Sequence, residues 1–170
     1  YHKWIAFYMA WTKKRDGSLK SLQFPFATYR KGQRELAISV YKAIKEESTL
    51  FINAPTGIGK TISTLFPALK AMGEGQGSKI FYLTAKTITR TVAEEGINKL
   101  YAQGARLKAI TITAKDKICF CEKRQCHPDF CQWANGHYDR VDDAAYEILQ
   151  EKDLLTREDI EAYARKYEVC

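Results

Sequence analysis

Apolar and polar residues follow one another along the chain in an order that predicts strands and helices in turn. Short apolar runs at residues 50–52 and 79–84 predict buried strands, and the alternation over residues 106–113 predicts a third strand. Apolar residues at helical spacing predict helices over residues 1–11, 35–45, 61–70 and 88–103. A strand, a helix and a second strand in succession form a βαβ unit, so we predict an α/β fold with a parallel sheet and flanking helices.

Two interruptions are expected within these helices. Pro67 lacks a backbone N–H and is expected to kink the helix over residues 61–70 or to end its regular hydrogen bonding. The polar run from Lys13 to Gly17 is expected to end the first helix.

Composition changes after Ala114. Residues 115–170 carry all five cysteines and two polar helices, which the pattern predicts at 139–150 and 156–167. The chain begins at Tyr1 instead of Met, so we expect it to be a piece of a longer protein. The predicted parts are a lead-in helix or tail of a preceding domain (1–23), a nucleotide-binding part (24–114) and a cysteine-bearing module (115–170).

The stretch between the first predicted strand and the next helix has the composition of a phosphate-binding loop. It consists of Ala54, Pro55, Thr56, Gly57, Ile58, Gly59, Lys60 and Thr61. In such a loop the backbone N–H groups point at a polyphosphate, Lys60 reaches the β- and γ-phosphates, and the Thr61 hydroxyl holds Mg²⁺. An ordinary glycine turn before a core helix is the alternative. The flanking strand and helix favour a nucleotide site, with Lys60 and Thr61 as the candidate catalytic residues.

Two further sets of polar residues lie on either side of this loop. Arg30 and Gln33 precede it, and a Gln side chain offers both a donor and an acceptor, as the adenine edge does. Thr84, Lys86 and Thr87 lie where the second predicted strand ends, and their side chains suit contact with a sugar-phosphate backbone. The alternatives are a surface helix start for Arg30 and Gln33, and a helix cap for Thr87.

Charge is distributed unevenly over the chain, whose net charge is +7. Residues 1–114 carry 18 Lys/Arg and 7 Asp/Glu, a net +11, whereas residues 115–170 carry 9 and 13, a net −4. A basic nucleotide-binding half suits a nucleic-acid partner, and a solvated basic surface is equally compatible with the charge. Hydrophobic residues make up 45% of the chain, enough for a core, but no run approaches a membrane span and no signal-peptide pattern is present.

The cysteines are clustered in sequence, which favours metal or cluster binding over disulfide bonds. They are Cys119, Cys121, Cys126, Cys131 and Cys170. This spacing matches paired zinc ligands poorly but is compatible with a [4Fe–4S] cluster, which needs four thiolates. Five candidates for four positions leave one over, His127 and His137 are possible alternative ligands, and free buried cysteines are the remaining reading.

Taken together, these motifs resemble those of the XPD/DinG-like iron–sulfur DNA helicases of superfamily two. The resemblance identifies Ala54 to Thr61 as Walker A, Arg30 and Gln33 as the adenine-reading Q motif, and the stretch from Tyr82 to Thr87 as motif Ia, which touches single-stranded DNA. It implies a partial RecA-like P-loop domain followed by a mostly helical iron–sulfur module. It assigns the cluster ligands as Cys119, Cys126, Cys131 and Cys170, with Cys121 as the spare thiol.

The resemblance implies the N-terminal part of an ATP-dependent DNA helicase that uses Mg²⁺ and moves 5′ to 3′ on single-stranded DNA or at DNA forks. We expect a cytoplasmic, nucleoid-associated monomeric motor without a membrane partner. The chain departs from the family because it contains neither an Asp-Glu-x-His box nor a second RecA-like domain, so it is expected to hydrolyse ATP poorly on its own. The alternatives are a P-loop ATPase or kinase with a zinc module, and a non-catalytic DNA-binding remnant.

Overall fold

The computed structural model describes residues 2–84 and 87–170. Contacts within the chain divide it into two compact units, Tyr1–Arg106 and Leu107–Cys170. The helices of the first unit are α1 (His2–Ser21), α2 (Gln33–Lys45), α3 (Lys60–Gly73) and α4 (Thr87–Ala102). The second unit contains β1 (Ala109–Ile110), α5 (Lys115–Ile118), α6 (His137–Glu151), β2 (Leu154–Leu155) and α7 (Arg157–Lys166).

Helix α3 is the centre of the first unit and packs against α1, α2 and α4. Its Leu65 and Leu69 are buried, and Leu100 of α4 and Leu19 of α1 are completely enclosed. The sequence predicted that Pro67 would either kink this helix or end its regular hydrogen bonding. The helix continues past Pro67 to Gly73, so the proline does not end it. The buried leucines on either side of the proline stabilise the helix through packing, which outweighs one missing hydrogen bond.

Helix α1 is longer than predicted, because it continues through the polar run from Lys13 to Gly17 and ends at Ser21. Leu19 supplies the reason: it lies against α3 so closely that a Cβ at Gly73 would be 2.7 Å from the Leu19 Cβ. Burial of this leucine requires the helix to continue beyond the polar run. The Ser18 hydroxyl also donates to the Arg15 carbonyl within the same stretch, at 2.8 Å.

The prediction of strands at residues 50–52 and 79–84 is wrong. In the described part of the chain neither segment is hydrogen-bonded into a sheet. Their side chains are at the surface, with Phe51 exposed to 93% and Leu83 to 89%. Such apolar runs are buried as strands of a parallel sheet whose two faces are covered by helices, and among the described residues no strand pairs with either run.

The sheet that the described residues do form is small and parallel, and it lies in the second unit. Ala109 pairs with Leu154, and Ile110 with Leu155. The strand β1 falls inside the predicted third strand but is shorter than it, because only these residues find a partner. Lys108 bridges to Asp153 at 2.7 Å beside this pair. The chain is therefore mostly helical, with a parallel sheet much smaller than the sequence pattern predicted.

The two polar helices predicted for the second half are confirmed as α6 and α7. Helix α7 begins with a capping box, in which the Thr156 hydroxyl accepts from the Asp159 N–H and the Asp159 carboxylate accepts from the Thr156 N–H. Lys152 adds an ion pair to Asp159 at 3.0 Å. Among the described residues, no helix combines the length and the apolar character that crossing a bilayer requires.

Candidate functional site

The predicted phosphate-binding loop leads directly into α3, which begins at Lys60. Gly57 and Gly59 have φ angles of 83° and 86°, in the left-handed region that glycine adopts most easily. The Lys60 ammonium donates to the carbonyls of Ala54 and Pro55, each at 3.0 Å. The loop therefore curls around the Lys60 ammonium at the N-terminal end of a helix, which is the arrangement that favours a bound anion.

Arg30 and Gln33 both contact this loop. The Arg30 guanidinium donates to the Gly57 carbonyl. Gln33 is only 2% exposed, and its Oε1 accepts the Arg30 backbone N–H at 3.0 Å. Its Nε2 lies so close to Gly59 that a Cβ there would be 2.5 Å away. The sequence did not reveal this support of the loop, and adenine contact by Gln33 stays a prediction.

Thr61 is held from two sides. The Tyr82 hydroxyl donates to Thr61 Oγ1 at 3.3 Å, and the Thr61 methyl faces Gly96 of α4, where a Cβ would be 3.3 Å from it. The sequence placed Tyr82 in the motif Ia stretch and did not reveal its contact with Thr61, because nothing in the spacing of the motifs relates Tyr82 to the loop.

The residues predicted to touch nucleic acid are only partly described. Thr84 is exposed, and Thr87 is the first residue of α4. Lys86 lies outside the described residues. Their contact with a nucleic-acid backbone therefore stays a prediction.

In the second unit, all five cysteines line one cavity of about 80 Å³. The sulfur atoms of Cys121 and Cys131 are 3.7 Å apart, and the Cys170 sulfur is 3.8 Å from His137 Nδ1. The rest of the lining is mainly apolar and comes from Ile118, Phe120, Trp133, Ala134, Ile160 and Ala164, together with Lys115 and Gln125. The predicted ligands Cys119, Cys126, Cys131 and Cys170 are thus brought to a common cavity, and so is the spare thiol.

Arg140 of α6 holds two parts of this lining together. Its guanidinium donates to the Asn135 carbonyl at 2.7 Å, just after the Cys131 turn. It also donates to the carbonyls of Tyr167 and Glu168, at 2.9 and 2.7 Å, just before Cys170. One side chain therefore ties together two segments that are distant in sequence and that both end at the cavity.

The thiols and Lys115 influence one another electrostatically. Hydrogen bonding and Coulomb attraction to Cys126, and attraction to Cys170, raise the pKa of Lys115. The hydrogen bond to Cys131, together with desolvation, raises the pKa of Cys121 to about 11. Burial works against the Cys131 thiolate, yet hydrogen bonds from the Ala134 backbone and from Cys121 lower the pKa of Cys131. Of this adjacent pair, Cys131 is the thiol that ionises first.

The donor chemistry of the cavity fits an iron–sulfur cluster, since thiolates surround an apolar space next to a lysine. The spacing between the side chains is not that of a bound metal, because no group of three or more His, Cys, Asp or Glu within residues 2–84 and 87–170 is positioned to hold one ion. The thiolates that hold a [4Fe–4S] cluster do not share one ion but surround the whole cluster, so the cluster remains a prediction.

A glycine loop ending in Lys60 and Thr61 at a helix start is the arrangement of the P-loop nucleotide-binding proteins. The family model of the DEAD/DEAH box helicases matches residues 34–159, more than half of the chain. The chain belongs to the DEAD/DEAH box helicase family. Membership implies a RecA-like fold.

A probable ATP-dependent helicase of Methanocaldococcus jannaschii is 40% identical to the chain over 47 residues. That match covers 28% of this chain and 7% of the archaeal protein, so the similarity involves a small part of each. No solved structure matches the chain significantly.

Proposed function

We propose that the chain is the ATP-binding part of an iron–sulfur DNA helicase of superfamily two, which moves 5′ to 3′ on single-stranded DNA. The observation that supports this most strongly is the combination of two features in one helicase-family chain. One is the phosphate loop curled around Lys60, and the other is a single cavity lined by five cysteines. A non-catalytic DNA-binding remnant needs neither feature, and a P-loop ATPase or kinase with a zinc module differs from the proposal in the metal that the cysteines would hold.

In the nucleotide site, Lys60 would exchange its two carbonyl partners for the β- and γ-phosphates of ATP, and Thr61 would ligate Mg²⁺. Arg30 and Gln33 hold the loop in shape, and Gln33 would have to leave its buried position to pair with the adenine edge. Because the sequence contains no Asp-Glu-x-His box, these residues bind and orient the nucleotide, whereas efficient hydrolysis needs further groups.

In the second unit, Cys119, Cys126, Cys131 and Cys170 would hold a [4Fe–4S] cluster, with Cys121 as the spare thiol. The bound cluster would act as a covalent cross-link between the start and the end of this unit. Aromatic side chains flank this cavity: the Phe120 and Trp133 rings are 4.7 Å apart, and the Arg165 guanidinium lies 4.1 Å above Phe120. Of the four proposed ligands, Cys131 is buried, whereas Cys126 and Cys170 are exposed.

The cluster is tested by measuring iron, acid-labile sulfide and visible absorbance of protein purified without oxygen. We expect about four irons per chain, by analogy with other four-thiolate clusters. Serine at Cys119, Cys126, Cys131 or Cys170 should abolish the iron content, whereas the matched control Cys121→Ser should retain it. Zinc in place of iron would refute the cluster and favour a P-loop ATPase or kinase with a zinc module.

Nucleic-acid binding is tested with fluorescently labelled single-stranded DNA, measured with and without a non-hydrolysable ATP analogue. Alanine at Thr84 and Lys86 together should weaken binding and reduce its salt dependence, because a phosphate contact is lost. Equal binding by this variant and the unaltered chain would contradict the proposed role of the segment.

A further inference from the structure

We propose that Tyr82 is a positioning residue for the magnesium ligand Thr61, and that its hydroxyl fixes the rotamer from which Thr61 binds the metal. This inference rests on the proposed function, since it takes Thr61 as the Mg²⁺ ligand. Tyr82 lies outside the phosphate loop and belongs to the segment between α3 and α4.

A threonine side chain carries two different groups on one carbon atom. Its Cβ carries a methyl group and a hydroxyl, and rotation about χ1 exchanges their positions. In this protein the hydroxyl oxygen of Thr61 accepts a hydrogen bond from Tyr82 at 3.3 Å. A rotation that moved this oxygen away would place a methyl group or a hydrogen opposite the Tyr82 hydroxyl and leave that bond unmade.

The Thr61 methyl group has its own fixed neighbour. Gly96 of α4 faces it, and a Cβ at Gly96 would lie only 3.3 Å from this methyl carbon. The absence of a side chain at Gly96 thus leaves room for the methyl group. The hydrogen bond from Tyr82 fixes the position of the oxygen, and the methyl group then lies in the space beside Gly96.

The hydrogen bond from Tyr82 is compatible with metal binding. A hydroxyl oxygen has two lone pairs, of which Tyr82 occupies one and Mg²⁺ can take the other, while the hydroxyl hydrogen turns towards another acceptor. Tyr82 therefore holds the ligand oxygen in place without displacing the metal. A purely packing role for Tyr82 would make its hydroxyl dispensable, and this difference can be measured.

The experiment titrates the chain with a fluorescent ATP analogue, once in EDTA and once over a range of Mg²⁺ concentrations. Tyr82→Phe should leave the affinity in EDTA unchanged and reduce the enhancement by Mg²⁺ about three- to tenfold, the range expected for one hydrogen bond. Tyr8→Phe, the same chemical change on α1, should behave as the unaltered chain. An unchanged melting temperature of Tyr82→Phe shows that the variant is folded.

Thr61→Val separates a failure of this inference from a failure of the proposed function. Valine keeps the methyl group that faces Gly96 but removes the ligand oxygen, so it should abolish the Mg²⁺ enhancement. If Thr61→Val abolishes it and Tyr82→Phe does not change it, the role of Tyr82 is refuted while the nucleotide site stands. If Thr61→Val leaves the enhancement intact, the metal role of Thr61 is wrong, and the inference is overturned with it.

Discussion

Substitution of Gly59 by alanine gives the sharpest test of how the phosphate loop is built. Two costs arise from the added methyl group. The residue has φ 86° and ψ 40°, and a side chain in this left-handed conformation costs about 1–2 kcal/mol. The new Cβ would also be 2.5 Å from the Nε2 of Gln33, closer than any real contact allows.

The second cost can be worked out from the surroundings of Gln33. This side chain is buried, and its Oε1 accepts the Arg30 backbone N–H. Moving it aside breaks that hydrogen bond, which costs about 1 kcal/mol. Gly59→Ala is therefore expected to destabilise the first unit by about 2–3 kcal/mol. It should also weaken nucleotide binding, because the loop loses its support.

Gly57→Ala is the matched control. Gly57 has a nearly equal φ of 83°, but a Cβ there would have no atom within 4 Å. It should show the backbone cost alone, so Gly59→Ala should melt about 4–8 °C below Gly57→Ala, the shift that about 1 kcal/mol gives in a domain of this size. Thermal unfolding followed by circular dichroism measures the difference.

Equal melting temperatures for the two variants would refute the contact between Gln33 and the loop. Gln33→Ala in the Gly59→Ala background provides a second check, because removing the obstructing side chain should recover part of the stability. The coupling energy of that double-mutant cycle measures the contact directly.

Three further predictions concern other contacts. Lys60→Ala should weaken nucleotide binding at least about tenfold, as expected for a charge-assisted contact, which titration with a fluorescent ATP analogue measures. It should change the stability by less than about 0.5 kcal/mol because Lys60 is exposed, which a melting curve measures. Thr156→Ala removes the cap of α7 and should cost about 1 kcal/mol in urea unfolding, whereas Thr156→Ser should keep most of it. The hydrogen bond from Lys166 lowers the pKa of Glu147, so this carboxylate stabilises the fold at pH values above its ordinary 4.5 and loses that effect as the pH falls below it. Glu147→Gln should therefore reduce the loss of stability on acidification, measured by unfolding over a range of pH values. An unchanged loss of stability would contradict this.

The helices of this chain were predictable because their signals are local. Helices α6 and α7 carry a strong apolar period, and Thr156 with Asp159 forms a recognisable start signal. The strands were not predictable in the same way. The run ending at Ile52 has the composition of a central strand, but a strand needs partners, and partner strands are a property of the whole sheet.

In the candidate site, too, the local features were predictable from the sequence and the long-range contacts were not. The sequence identified the phosphate loop and the cluster of cysteines, since both are marked by spacing within a short stretch. It did not reveal that Gln33 lies under the loop, because a polar side chain near a helix start is equally compatible with a buried and an exposed orientation. Nor did it show which thiols face one another, since the spacing along the chain says nothing about how Cys121 and Cys131 meet.

The surface position of the two apolar runs also affects how the protein behaves in solution. Phe51, Phe81 and Leu83 each expose at least 76% of their area. Unpaired apolar segments of this kind adhere to one another, so separate molecules should associate more as their concentration rises. Light scattering over a dilution series should show this colloidal attraction, and ligand titrations are best performed at the dilute end of that series.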